Sequence, residues 1–139
     1  MGQPAVAVWQ MAPVMRSPAR NLARLRRAAS SAAARGATLL VTPELALTGY
    51  DIGDLGDDLT SASLVDDAAA IAREEGIGLI VGVALREEPE GVTWNAAVAI
   101  DRAGTICAAY RKIHLFGGLD RSRFAPGPAP PAVVQVDGL

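Results

Sequence analysis

Apolar positions along the chain repeat with two different periods, and the switches between them outline the elements. Ala5 to Met11 is a short apolar run bounded by Pro4 and Pro13, the pattern of a buried strand. Ser17 followed by Pro18 predicts a helix start, an N-cap hydroxyl and then a proline at the first helical position. Leu22, Leu25, Ala29 and Ala32 repeat at helical spacing, and Gly36 sits where a C-terminal cap belongs. Arg20, Arg24 and Arg27 share another face of this helix, read as solvated. Thr38 to Pro43 reads as a second buried strand, ended by a proline with no N–H to donate. A second helix is predicted from a cap at Thr60 or Ser61, with Leu64, Ala68, Ile71 and Ala72 inward and Gly76 closing it. Gly78 to Leu85 is a fully buried strand by pattern. Val92 to Ile100 and Thr105 to Lys112 are two more, joined by a short hairpin turn at Asp101–Gly104. Strand, helix, strand, helix, strand and then an antiparallel meander predict an α/β domain, a mixed sheet with helices on one face.

Beyond Phe124, the sequence Ala-Pro-Gly-Pro-Ala-Pro-Pro reads as a rigid extended connector, and Val133 to Val136 as the start of another strand. Strands of this kind expect burial on both sides, so the helix-free face needs a cover. Nothing up to Leu139 supplies one. The expectation is a domain spanning 1–139 that is incomplete at its C-terminus.

Composition narrows the partners. Half of the 139 residues are hydrophobic and 20% are charged, the balance of a globular protein. A formal net charge of −2 argues against nucleic acid or an anionic membrane as a main partner. No apolar run approaches the roughly 18 residues needed to cross a bilayer. No basic stretch followed by an apolar one opens the sequence, and a single cysteine excludes an internal disulfide. The expected setting is a reducing cytoplasm. The Gly- and Asp-rich segment Asp51–Asp58 resembles a calcium loop only superficially, because Ala62 stands where the bidentate Glu belongs. It reads as a loop beside the active site, and no metal or cofactor is implied.

Candidate chemistry comes from two charged residues at the mouths of apolar strands. Glu44 directly follows Pro43, at the C-terminal end of a strand, where open α/β sheets gather function. Taken locally, it is equally a solvent-facing carboxylate on a strand-exit loop. Lys112 ends the last meander strand and, by itself, reads as a strand-end solubiliser. Together the two make a candidate acid/base and oxyanion-stabilising couple.

Three segments carry a resemblance. Pro43-Glu44-Leu45-Ala46-Leu47-Thr48-Gly49-Tyr50, Trp94-Asn95-Ala96-Ala97-Val98 and Tyr110-Arg111-Lys112-Ile113-His114-Leu115-Phe116 resemble, in order and spacing, the first half of the nitrilase superfamily domain, the carbon–nitrogen hydrolases. The resemblance implies the first half of a four-layer α-β-β-α sandwich and hydrolysis of a non-peptide C–N bond in a small amide or carbamoyl amine, or less often a nitrile. It implies protomers paired through a helical face, hence a homo-oligomer. It also implies Glu44 as general base, Lys112 as stabiliser of the tetrahedral intermediate, and a nucleophilic cysteine on a strand beyond Leu139. Cys107 is not that nucleophile: it stands mid-strand among Ile106, Ala108 and Ala109, and a buried, slow-reacting structural thiol is expected there. Many relatives carry an acidic residue just after the His-Leu-Phe-Gly run. Here Gly118 follows, and Asp120 is the nearest carboxylate.

Tyr50 either lines the substrate pocket or covers the strand end. Asn95 is expected to satisfy backbone groups, and His114, the single histidine, to be a hydrogen-bonded structural residue. Two other readings compete with the enzyme: a half-domain that binds a partner through its uncovered sheet, and the glutaminase portion of a glutamine-dependent synthetase.

Overall fold

The computed structural model describes residues 3–50, 60, 62–87 and 91–139. The strands are β1 (Val6–Val8), β2 (Leu39–Val41), β3 (Gly78–Glu87), β4 (Val92–Ile100) and β5 (Ile106–Arg111). The helices are α1 (Pro18–Ala34), α2 (Ser63–Glu75) and the short α3 (Gly117–Arg123). The spatial order of the sheet is the sequence order, β1-β2-β3-β4-β5. β1, β2 and β3 run parallel, with α1 and α2 in their crossovers, and β4 and β5 return antiparallel. This is the mixed α/β sheet that the periodicity predicts. The segment Asp51–Asp58 lies outside the described residues.

Chain chemistry explains the boundaries. Gly36, at φ +82, closes α1: its N–H bonds the Ala33 carbonyl and the Ala37 N–H bonds that of Ala32, a Schellman closure. Ser17 does occupy the N-cap and Pro18 the first helical position, but the serine hydroxyl makes no capping bond. The cap of α2 is Ala62, later than the expected Thr60 or Ser61. The β4–β5 turn forms as expected, with the Asp101 carboxylate accepting from the Ala103 and Thr105 N–H groups and Gly104 at φ +82.

Strand alternation sorts the core. Leu79, Val81, Val83 and Leu85 of β3 share one face with Ala96, Val98 and Ile100 of β4. They pack against Leu25, Ala29 and Ala32 of α1 and Leu64, Ala68, Ile71 and Ala72 of α2. Each large side chain buried there contributes on the order of 1.5–3 kcal/mol.

The opposite face departs from expectation. Val133 to Val136 is not a strand: Val133 is fully exposed, and Val136 and Leu139 close a turn by exchanging backbone hydrogen bonds. Prolines at 128, 130 and 131 remove ladder donors just upstream, and Asp137 and Gly138 turn the chain at φ +51 and +86. The face is therefore partly covered by the chain's own tail, with Val134 and Val136 against Leu39, Val41, Ile80 and Ala99. The Asp137 carboxylate latches the tail by accepting from the Arg102 backbone N–H (2.8 Å) and Nε (2.9 Å). Val6 and Val8 remain exposed on β1.

Candidate active site

The site begins where β2 stops. The Thr42 N–H still bonds the Ile80 carbonyl, but Pro43 cannot continue the ladder. The Thr42 hydroxyl replaces the lost partner by accepting from the Gly82 N–H at 3.1 Å, and the Gly82 carbonyl accepts from the Leu47 N–H at 3.2 Å. Residues 43–46 thus arch over Gly82. A Cβ at Gly82 would fall on the Pro43 carbonyl oxygen, 2.7 Å from the Leu45 nitrogen and 2.9 Å from the Glu44 Cα. Leu45, at φ +50, takes a left-handed conformation unusual for a branched residue, and its buried side chain against Ala84 and Phe124 holds it there. From the other side, Asn21 of α1 clamps the arch. Its amide donates to the Val14 and Leu47 carbonyls and accepts from the Val14 N–H, all at 2.8–2.9 Å and shielded from solvent.

This arch presents Glu44 on the helix-free face, at the same end of the sheet as Lys112. The Lys112 N–H bonds the Asn95 carbonyl and its own carbonyl accepts from the Gly127 N–H, so the residue is fixed at the β5 exit. Lys112 Nζ lies 2.6 Å from Glu44 Oε1 and 2.8 Å from Asp120 Oδ2. Asn95 Nδ2 donates to Glu44 Oε1 at 2.6 Å, and the Tyr50 hydroxyl donates to Oε2 at 2.6 Å. Asp120, only 4% exposed, also accepts from the Phe116 N–H at 3.0 Å. Beside these groups a cavity of about 230 Å³ opens over Ile80, Gly82, Ala97 and Tyr110.

The charges are mutually stabilised. Partial burial works to raise the Glu44 carboxyl, but the hydrogen bonds from Lys112, Tyr50 and Asn95 outweigh it and leave the group below its ordinary value. Burial works to lower Lys112; the bonds to Asp120 and Glu44 reverse this and raise it. Asp120 is likewise held low against burial by Lys112 and the Phe116 N–H. Burial, the hydrogen bond to Glu44 and the Glu44 charge push the Tyr50 phenol up to about 12. At neutral pH the site is one ammonium between two carboxylates, with Tyr50 as a standing donor. Such an array can take a proton at Glu44 and hold developing negative charge at Lys112. Among the described residues no three His, Cys, Asp or Glu side chains gather to hold a metal.

Several expectations are corrected here. Asn95 does not merely serve the backbone; alternation along β4 places its amide on the Glu44 side. Asp120, left open by the sequence, reaches Lys112 because residues 117–123 coil into α3, a helix that two leading glycines concealed. Cys107 is partly exposed, not buried, because β5 is an edge strand, and its sulfur meets the Thr105 carbonyl at 3.6 Å. It precedes Lys112 by five residues, about 17 Å along a strand. His114 is exposed and its ring makes no hydrogen bond among the described residues.

Comparison with known proteins gives a consistent picture. Residues 5–139 match the carbon–nitrogen hydrolase family. The chain is 38% identical over 140 residues to a hydrolase encoded in the pqqF 5′ region of Pseudomonas protegens, a match covering 96% of this chain and 47% of that protein. Among solved structures, an amidase from Nesterenkonia sp. superposes with a TM-score of 0.87 at 31% identity, over 96% of this chain and 51% of the other. A mutant of the Nesterenkonia sp. AN1 amidase (TM-score 0.82, 28% identity, 98% and 54% covered) shows Michael addition of acrylamide at its active-site cysteine. The chain spans about half the length of these relatives.

Proposed function

Since the chain belongs to the carbon–nitrogen hydrolase family, the nitrilase superfamily, we propose that it carries two members of a Cys-Glu-Lys triad that hydrolyses small amides or carbamoyl amines. Glu44 takes the proton of a cysteine thiol, and the thiolate attacks the carbonyl carbon. The oxyanion of the tetrahedral intermediate is held by Lys112, which Asp120 keeps charged and aimed. Glu44 returns the proton to the leaving amine, then activates the water that cleaves the thioester. The observation that carries this reading is the Lys112 ammonium between Glu44 and Asp120 at the functional end of the sheet. The cysteine comes from a segment outside these 139 residues, because Cys107 lies at the far end of β5.

The test is ammonia release from a short primary amide by the chain alone and by a fusion to the second half of the Nesterenkonia amidase. The chain alone is expected to be inactive, since loss of a nucleophile removes about 10⁶-fold in rate. The fusion is expected to turn over and to lose about 10²–10⁴-fold on Glu44→Gln and about 10²–10³-fold on Lys112→Ala. Cys107→Ser leaves it unchanged. Turnover by the chain alone, or an undiminished Glu44→Gln fusion, overturns the reading.

A further inference from the structure

We propose that Oε2 of Glu44 is the proton-accepting atom and that Tyr50 is the positioning residue that aims it, an inference that rests on Glu44 as base and goes beyond it. A carboxylate offers about four lone-pair directions. Two belong to Oε1, and both are occupied, by Asn95 Nδ2 and Lys112 Nζ, each at 2.6 Å. One direction on Oε2 is occupied by the Tyr50 hydroxyl at 2.6 Å. Among the described residues' donors, a single direction is left, and it is on Oε2. A proton arriving from a thiol therefore bonds there, while the S–H electron pair stays on sulfur and Tyr50 keeps its own proton.

The donors differ in kind. Asn95 is buried within β4 and Lys112 is tied into the β5 exit, so the Oε1 side is framework. Tyr50 is 41% exposed and belongs to the segment after the arch, where its carbonyl accepts from Arg123 Nη1 of α3 at 3.2 Å. The sheet donors on Oε1 hold the carboxylate, and the donor on Oε2 that completes the aim of the open lone pair comes from the loop beside α3. A donor on the accepting atom also weakens it as a base, so Tyr50 exchanges basicity for direction. Among the described residues, the charged group facing this carboxylate is Lys112 from the β5 exit, with Asp120 of α3 on the far side of the ammonium; Arg123 of α3 reaches the Tyr50 carbonyl instead.

The experiment is a carbon-13 NMR titration of the Glu44 side-chain carboxyl in the chain, in Tyr50→Phe and with Tyr50 replaced by a fluorotyrosine. The amide spectrum reports the fold. Removing the hydroxyl is expected to move the Glu44 midpoint up, and the more acidic fluorinated hydroxyl to move it down. If Tyr50→Phe fails to fold, the fluorotyrosine form, which keeps ring and hydroxyl, carries the test. An unmoved midpoint overturns the Tyr50 assignment and leaves the base reading intact, since the carboxyl is observed directly. In the amide-hydrolysing fusion the acid limb of kcat/KM is expected to follow these midpoints. On the plateau above both midpoints Tyr50→Phe is expected to lower kcat, and an undiminished plateau overturns Oε2, aimed by Tyr50, as the accepting atom. The base reading itself fails separately, if Glu44→Gln keeps full turnover.

Discussion

At the scale of single residues, Asp120 is the member of the site whose role is most open to a stability measurement. It is nearly sealed from solvent and accepts from Lys112 and the Phe116 N–H. Replacing it with Asn keeps the shape but removes the charge that holds Lys112. We expect a loss of about 1–3 kcal/mol at neutral pH, the range for a disrupted buried hydrogen bond to a charge, measured by urea unfolding. The pH dependence follows from the directions of the shifts. Glu44 and Asp120 are lowered, so their contribution is present above the ordinary carboxylate range and is lost as pH falls through their folded values. Lys112 is raised, so its contribution is present below the ordinary lysine value and is lost as pH rises through its folded value. Unfolding free energy should therefore hold steady at intermediate pH and fall at both ends. In Asp120→Asn the acid-side fall should flatten; an equally steep fall would exclude Asp120 as its source.

At the scale of elements, the site depends on how closely the 43–46 arch lies on β3. Gly82→Ala places a methyl group into the Pro43 carbonyl and the Glu44 backbone, so the arch must lift. The expected cost is about 1–3 kcal/mol or somewhat more, and the Glu44 carboxyl resonance should shift as its bonds to Asn95 and Lys112 lengthen. Gly118→Ala is the control, with open space around it and no left-handed backbone; it should change stability by less than about 0.5 kcal/mol. On the helical side, Asn21→Ala leaves the buried Leu47 carbonyl and the half-buried Val14 N–H and carbonyl without their partner. About 1–3 kcal/mol for each group left unsatisfied is expected, with faster amide exchange at Leu47 as the local readout.

At the scale of the whole molecule, the helix-free face decides behaviour. Val134 and Val136 cover part of it, while Val6 and Val8 stay exposed, Val8 to 77%. An apolar face of this kind favours association. The isolated chain should self-associate through this face as concentration rises in sedimentation experiments, and the fusion, which covers the face, should form only the discrete oligomer expected of its helical side. The tail is held by the Arg102–Asp137 latch. Asp137→Ala should therefore speed exchange of the Val136 amide and increase binding of a hydrophobic dye. Unchanged exchange would mean that apolar contact alone retains the tail.

The sequence by itself determined the order and type of the main elements, because hydrophobic period and turn residues are local signals. It also determined that Glu44 and Lys112 leave apolar strands where chemistry gathers. Their 2.6 Å approach required the sheet: β2 and β5 are separated by two strands in space, and only the arch over Gly82 carries the carboxylate across. Alternation along β4 makes Asn95 legible in retrospect, once pairing with Ala84 fixes which face it occupies. Asp120 was not legible, because a seven-residue helix opening on two glycines has no periodic pattern to read. The tail over the second face was hidden for a related reason. Val134 and Val136 carry the alternation of a strand, yet prolines upstream deny them a ladder, and their partners, Leu39 and Ala99, are tens of residues away. Local pattern specifies what each segment can be, and non-local packing decides which face it meets and how closely.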